Sequence, residues 1–415
     1  MKKRDLKPIK EHAEQTLLNA MEESIQSFIV KRDTFKTVIA GYPWFLDWGR
    51  DTLICLRGII AAGQLQTAKE ILLQFAQFEE AGTLPNMIRG KDHSNRETSD
   101  APLWFFVACD DLMKAEGHQN ILETDCEGRT LKEVLISLAQ GLIKGTPNGI
   151  SFDSDSALLF SPPHFTWMDT NYPAGTPRQG YPIEIQALWY AALHLLSQID
   201  AAPHWAEYAT RVQQSIHQLF IIETDEKTYL ADTLDAQPGI AARDAKKDDA
   251  LRSNQLLAIT LGAVTDKALG KKILDACEQL LIPGAIRSLA DRPVQHPAPI
   301  YQKDQLINDP THPYWGKYSG DEDTSRKPAY HNGTAWTWPF PSYAEALVLV
   351  YGKNAKDTAR ALLGSSTEII NYNALLHTPE VLDGNTPHTQ RGCGAQAWGA
   401  TELYRVYKNL SASSL

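Results

Sequence analysis

The chain has 415 residues, 43% of them hydrophobic and 22% charged, with a formal net charge of −10. Such a composition suits a globular protein with a sizeable core. The acidic balance speaks against nucleic acid and against an anionic membrane surface, both of which need a basic footprint, and favours a neutral substrate that needs no charge steering.

Apolar residues recurring at i, i+3, i+4 and i+7 predict amphipathic helices over 10–31, 50–63, 66–80, 99–116 and 131–145. The pattern resumes over 183–199, 204–221, 248–262 and 265–280, and closes over 332–351, 355–371 and 392–408. Asp47, Ser99 and Thr130 stand where N-caps are expected. Strand alternation is rare, with short hairpin candidates at 36–40 and 227–231. About twelve helices make six helical hairpins, which can close into an all-α (α/α)6 barrel, one ring inside another. A solenoid of stacked helix pairs fits the same periodicity, but no repeat of fixed length runs through the chain. Three long interruptions fall at 146–182, 222–247 and 281–330. The first and third are rich in aromatic residues and read as ordered, site-building loops. No linker divides the sequence, so residues 1–415 are read as one domain.

Cys55, Cys109, Cys126, Cys277 and Cys393 are scattered without a CxxC pair, which points to reduced thiols in a cytoplasmic protein. Basic residues at Lys2, Lys3 and Arg4 are followed by Glu11, Glu14, Glu22 and Glu23 rather than an apolar run, so neither signal peptide nor membrane span is expected. Asp153-Ser154-Asp155 and Asp321-Glu322-Asp323 lack the spacing of an EF-hand loop and read as solvated acidic turns; no metal and no cofactor are expected.

Chemistry concentrates where aromatic and polar residues interleave. The block Gly41–Thr52 sets Trp44, Trp48, Arg50 and Asp51 at a helix start. Aromatic faces cover the C–H face of a pyranose while Arg and Asp take its hydroxyls; the competing reading is a capped helix with a surface Arg50–Asp51 pair. Asp100 falls in the first turn of the next block's helix, where the dipole alone would favour a carboxylate. Asp169 lies in a long loop beside Trp167, and an aromatic wall raises a carboxyl's pKa, as a general acid requires. Arg178 follows, then Glu184, which either binds substrate or caps a helix. Arg252-Ser253-Asn254-Gln255 interrupts an apolar helix, as an exposed polar stripe or as part of a site. His331 and Trp336 stand in the aromatic block Tyr330–Pro339 and suit a sugar-lining wall. Glu380, after Pro379 and before a turn, is the late carboxylate best placed to partner Asp169.

In this serial order the blocks resemble the C-terminal amylo-α-1,6-glucosidase domain of glycogen debranching enzymes, over roughly residues 30 to 408. Ala40–Thr52, Thr166-Trp167-Met168-Asp169, Glu184–Tyr190, His331–Trp338 and Cys393–Trp398 carry the resemblance; Tyr181, Ser253 and Asn332 depart from the family pattern of Lys, Pro and Gln. The resemblance implies a glucoamylase-like barrel and an inverting hydrolase that releases glucose from α-1,6-linked stubs of a glycogen-type glucan. It implies Asp169 as acid, Glu380 as base, and Arg50 with Asp51 as a clamp on the terminal glucose, helped by Trp48, Trp336, Asp100 and Arg178. The two carboxyls are then expected about 6.5–9.5 Å apart, with room for a water between. The extra N-terminal domains of such relatives find no room before the match, so glucanotransferase activity is not expected. An α-glucan or oligosaccharide is the expected partner. Two rival readings stand beside it: another (α/α)6 hydrolase acting on a small glucoside, trehalase-like or glucosylglycerate-type, and a non-catalytic glucan-binding subunit.

Overall fold

The computed structural model describes residues 7–370 and 376–411. Its helices run in order α1 (Lys7–Phe28), α2 (Gly49–Ala61), α3 (Leu65–Ala76), α4 (Ala101–Glu116), α5 (Leu131–Lys144), α6 (Ile183–Ile199) and α7 (His204–Ser215). They continue as α8 (Leu256–Thr260), α9 (Lys267–Cys277), α10 (Lys327–Tyr330), α11 (Phe340–Tyr351), α12 (Lys356–Gly364), α13 (Ser366–Ile370) and α14 (Ala397–Ser411).

Burial sorts these helices into two kinds. Every residue of α2 from Gly49 to Ile60 is buried, and α14 is buried without a break from Ala397 to Tyr407. A helix apolar or buried all round must be enclosed by others. By contrast α3, α5, α7 and α9 bury one stripe each, for example Leu131, Val134, Leu135, Leu138 and Leu142 of α5. The packing follows from this difference. α2 packs on α4, α4 on α6, α6 on α8, α8 on α11, α11 on α14 and α14 back on α2, a closed circuit. The one-sided helices lie against its members: α3 on α2 and α4, α5 and α7 on α6, α9 on α8 and α11, α12 on α11 and α14, and α1 on α14. One apolar cluster runs from Leu17 to Leu410 through these contacts.

Small sheets tie the loops at one end of the circuit. Gly41–Tyr42 pairs with Ala395–Gln396, joining the chain just ahead of α2 to the chain just ahead of α14. A five-stranded antiparallel sheet sets Leu281–Ile282, Ala285–Arg287, Ala335–Trp336, Val381–Leu382 and Gln390–Arg391 side by side. Its register opposes Trp336 to Val381, which puts Glu380 immediately beside the tryptophan strand.

Most predicted helices are present within a few residues, and both hairpin candidates pair, as 29–32 with 35–38 and 221–223 with 228–230. The predicted helix 248–262 shrinks to α8 because Lys246–Asp248 joins a sheet and Ser253–Gln255 forms a single tight turn. The predicted helix 332–351 starts only at Phe340, because Ala335–Trp336 is recruited as a strand. Thr130 caps α5 in a full capping box with Glu133. Asp47 and Ser99 are not caps: Asp47 pairs with Arg32 at 2.6 Å, and Ser99 Oγ shares a hydrogen bond with Ser161 Oγ at 2.8 Å. All five cysteines are free and buried. Among the described residues no helix is long and apolar enough to cross a membrane.

The tightest point of the circuit is Gly58 of α2. A Cβ there would lie 2.4 Å from the backbone oxygen of Thr401 in α14. Backbone cannot yield as a side-chain tip can, so Gly58→Ala is expected to push the two helices apart. The expected loss is about 1–3 kcal/mol of unfolding free energy, read as a lower urea midpoint at unchanged slope. A midpoint equal to wild type would show that α2 and α14 are not held at this distance.

Candidate active site

The N-terminal ends of α2 and α4 meet at one group of carboxyls. Arg50 and Asp51 occupy the first turn of α2, and Asp100 caps α4 by position. The Arg50 guanidinium is buried and donates from Nε to Asp100 Oδ2 at 2.6 Å and from Nη1 to Asp169 Oδ2 at 2.9 Å. Asp100 also accepts from Thr98 Oγ1 at 2.7 Å. Asp169 is delivered by the first long loop, which is pinned on both sides of it. Thr176 Oγ1 donates to Met168 O at 3.0 Å, and Thr170 Oγ1 shares a hydrogen bond with His331 Nδ1 at 3.0 Å. The Asp169 side chain keeps 36% of its surface open, whereas Arg50 and Asp100 are closed off at 3% and 1%.

Charge crowding sets the protonation of this group. Burial raises the pKa of Asp169; Arg50 opposes, and Asp100 adds to the rise. Burial pushes Asp51 up to about 7 against the pull of Arg50, with Asp169, Glu380 and Asp100 adding repulsion. Glu380 lies 2% exposed in a loop rather than a helix, and burial pushes it up to about 6. Two donors grip its ionised form: the Tyr330 hydroxyl at Oε1, and the Cys393 N–H at Oε2 at 2.7 Å. Gly392, at φ +66°, is required beside it, because a Cβ would fall 2.2 Å from Glu380 Oε2.

Behind the carboxyls the axis of the circuit is filled by rings. Trp336 stacks on His331 with centroids 5.2 Å apart and meets Trp167 edge-on at 5.2 Å. Trp338 stacks on Trp398 at 5.1 Å and meets Trp104 edge-on at 6.4 Å. Arg57 lies over Trp104, 5.9 Å from its centroid. Beyond Arg57 come its ion pairs with Asp111 and Glu402, and those of Arg405 with Glu402 and Glu345. Indoles and then salt bridges thus follow one another without a break from Trp336 to Arg405. Arg50 Nη2, His331 Nε2, Trp338 Nε1 and Trp398 Nε1 are buried without a protein partner among the described residues. Burial also holds His331 well below the usual histidine range, so the ring is neutral. Unpaired buried polar groups are costly, and a ligand rich in hydroxyls would pair them.

Arg178 and Glu184 fall elsewhere than on the carboxyl group. Arg178 donates to both Glu184 oxygens and, from Nε, to Asp232 Oδ2 at 2.6 Å. Asn254 Nδ2 donates to Asp232 Oδ1 at 2.8 Å, while Asn254 Oδ1 accepts the Trp167 indole N–H at 2.8 Å. This buried network supports the Trp167 wall. It also settles the Arg252–Gln255 stretch, which is buried throughout and not an exposed stripe. Trp48 is half-buried at the start of α2 and Trp44 is 66% exposed; neither ring joins the indole group among the described residues. Tyr330, Trp338, Trp398 and Asp232 were not singled out as site residues from the sequence. Tyr330 and Trp338 lay inside the aromatic block, but Asp232 gave no local signal. Among the described residues no group of three or more His, Cys, Asp and Glu is placed to hold a metal ion.

The Tyr330 hydroxyl stabilises the charged form of Glu380, so removing it raises that pKa. Tyr330→Phe is expected to move the Glu380 carboxyl titration, followed by carbon NMR, upward by about 1 pH unit, equal to roughly 1.4 kcal/mol for one charge-assisted hydrogen bond. An unmoved titration would break the link between the two residues.

The family profile described as Amylo-alpha-1,6-glucosidase matches residues 23–405. Glycogen debranching enzyme of Saccharomyces cerevisiae is 23% identical over 405 residues, covering 77% of this chain and 26% of that protein. The chain thus spans about a quarter of the length of this curated relative. Among solved structures, a glycosidase variant in complex with glucose superposes with a TM-score of 0.61 at 12% identity, covering 96% of this chain and 97% of that one. A structure from work on metal-independent alpha mannosidases, a Streptococcus pneumoniae non-productive substrate complex with alpha-1,6-mannobiose, gives a TM-score of 0.58 at 12% identity, covering 98% and 96%. At such identity these two likenesses are likenesses of fold.

Proposed function

Because the chain belongs to the amylo-alpha-1,6-glucosidase family, we propose that it hydrolyses α-1,6-linked glucose at the branch stubs of a glycogen-type glucan, with inversion, releasing free glucose. What supports this reading most is an open carboxyl, Asp169, whose charge acts on a gripped one, Glu380, beside a run of packed indoles. In the same reading the closed helix circuit is the inner ring of an (α/α)6 barrel, the one-sided helices are its outer ring, and residues 1–415 act as one catalytic unit.

Arg50 engages Asp169 Oδ2, which leaves Oδ1 to carry the proton. Protonated Asp169 gives that proton to the glycosidic oxygen as the bond from C1 to that oxygen breaks. Ionised Glu380 takes a proton from a water attacking C1 from the opposite face, and the product is β-glucose. The two bonds from Tyr330 and Cys393 fix the base in place while keeping it charged above its pKa of about 6. Arg50 Nη2, Asp51, Asp100 and the indoles around Trp336 hold the terminal sugar, with Trp48 and Trp44 toward the opening. Asp51, with a pKa of about 7, can donate to a hydroxyl as well as accept from one. Arg178 and Glu184 act through Trp167 rather than on the sugar. Removal of a single-glucose stub demands a blind pocket at these carboxyls. Five buried free thiols support a reducing, cytoplasmic setting.

A second reading, hydrolysis of a small glucoside on the same fold, differs from the first in its substrate. The deciding experiment incubates the purified chain with α-1,6-glucosylated maltooligosaccharides, trehalose and small glycosides, and follows released sugar by proton NMR. Glucose appearing first as the β-anomer from the branched substrate is the expected result. Asp169→Asn and Glu380→Gln should each lower kcat by about 10²–10⁴-fold with substrate binding kept. Initial release of α-glucose, or full turnover by either variant, would overturn the assignment.

A further inference from the structure

The third long loop builds a second concavity outside the pocket. The hairpin of Tyr301–Gln302 with Gln305–Leu306 stands on one side and the turn Asp321–Arg326 on the other. Between them is a cavity of about 740 Å³ whose walls include Gln305, Leu306, Asn308, Tyr314, Trp315 and Thr324. Aromatic rings beside amides and a hydroxyl are the chemistry that takes a neutral sugar chain. Its lining also includes Asp309 and His312, engaged by Thr311 and by Asp291, and with neither Lys nor Arg among the described lining residues an anionic ligand is disfavoured. Trp315 is half-buried, and Leu306 keeps 43% of its surface open.

The walls are held in place without a ligand. Tyr314 donates its hydroxyl to Asn385 Oδ1 at 2.9 Å, and Asn308 Nδ2 donates to Ala298 O at 2.9 Å. Asp321 Oδ1 accepts the N–H groups of Asp323 and Thr324 at 3.1 and 2.9 Å, which fixes the opposite wall. Gly333 lets the Trp315 backbone approach, since a Cβ there would lie 2.6 Å from the Trp315 carbonyl carbon.

A short run of chain links the cavity wall to the surroundings of Glu380. Three residues after Trp315 comes Tyr318, at most on the order of 10 Å along the chain. The Tyr318 ring lies 5.5 Å from that of Tyr330, which donates to Glu380. Arg326, from the same turn as Thr324, lies 6.0 Å over Tyr318. We propose that this groove binds an α-1,4-linked stretch of the glucan main chain, holding the branch-bearing chain while its stub enters the pocket. The inference rests on the α-glucan reading above and adds to it where the rest of the polymer lies.

The test uses the full chain with Trp315→Ala, which removes the platform, and Leu306→Arg, which crowds the groove from an exposed position and spares the core. Each is assayed on an α-1,6-glucosylated maltoheptaose and on the same glucosyl stub carried by maltose. The expected result is a rise of about tenfold in KM for the long substrate in both variants, with the short substrate within twofold of wild type in KM and kcat. Equal effects on both substrates, or none on either, would overturn the groove. Should the wild-type chain cleave neither substrate, the hydrolase reading falls. Calorimetric titration with maltoheptaose then decides the groove alone, which stands if the variants weaken binding about tenfold and falls if they do not.

Discussion

The Arg50 guanidinium, buried at the head of α2, is the element on which the site is hung. It bonds Asp100 on one side and Asp169 on the other, and Asp51 and Glu380 lie close enough to feel the same charges. Four carboxyls around this cation cannot all be ionised cheaply in a low-dielectric enclosure. Asp51 and Glu380 accordingly shift upward toward neutrality. The helix circuit makes such crowding tolerable, because the N-terminal ends of α2 and α4 both face the group, and helix N-termini favour negative charge. Arg50 also decides which carboxyl oxygens are spent and which remain for chemistry.

Much of this was legible in the sequence because the relevant blocks are local. Trp-Gly-Arg-Asp at 48–51 and Trp-Met-Asp at 167–169 announce themselves by composition, and the structure brings Arg50, Asp100 and Asp169 into direct contact. The helices were legible where an amphipathic stripe coincided with a local stop signal, as in α5 with its Thr130 box. What failed to show were partners set by long-range pairing. Ala335–Trp336 reads as helix by periodicity, yet its neighbours in the sheet are Ile286 and Val381, dozens of residues away in the chain. Polar residues at Arg252–Gln255 look like a solvated face because burial of a charge is improbable without partners, and the partners, Asp232 and Asn332, come from separate loops. The Cys393 N–H that grips Glu380 is a backbone group, which no side-chain pattern reveals.

The buried Arg178 network shows how a residue can matter to a site without touching it. Its φ of +46° is a strained conformation for a long side chain. It is held there by charge-assisted bonds to Glu184 and Asp232. Through Asn254 the same bonds orient the Trp167 indole, whose edge meets Trp336, Trp338 and His331. Removing the guanidinium would leave the buried Glu184 carboxylate without its cation and Asp232 with Arg252 alone, a far larger disturbance than losing a surface pair. The aromatic wall therefore owes its position to electrostatics as much as to packing.

A fold shared at 12% identity with structures carrying glucose or a mannobiose does not choose a sugar by its helices. The helices supply an enclosed axis and converging N-termini, which any glycosidic bond could use. Choice must lie in what is laid over that frame: the loop that delivers Asp169, the strand that delivers Trp336, and the long segment between α9 and α10. The last two meet at Tyr330, whose ring lies against Trp336 and Tyr318 and whose hydroxyl donates to Glu380, while the first is tied to its neighbour His331 through Thr170. A shift in any of them moves Glu380 relative to Asp169. On the proposed assignment, sugar choice and turnover both pass through this one phenol, because the side chains that would line the sugar and the carboxylate that would activate water are its direct neighbours.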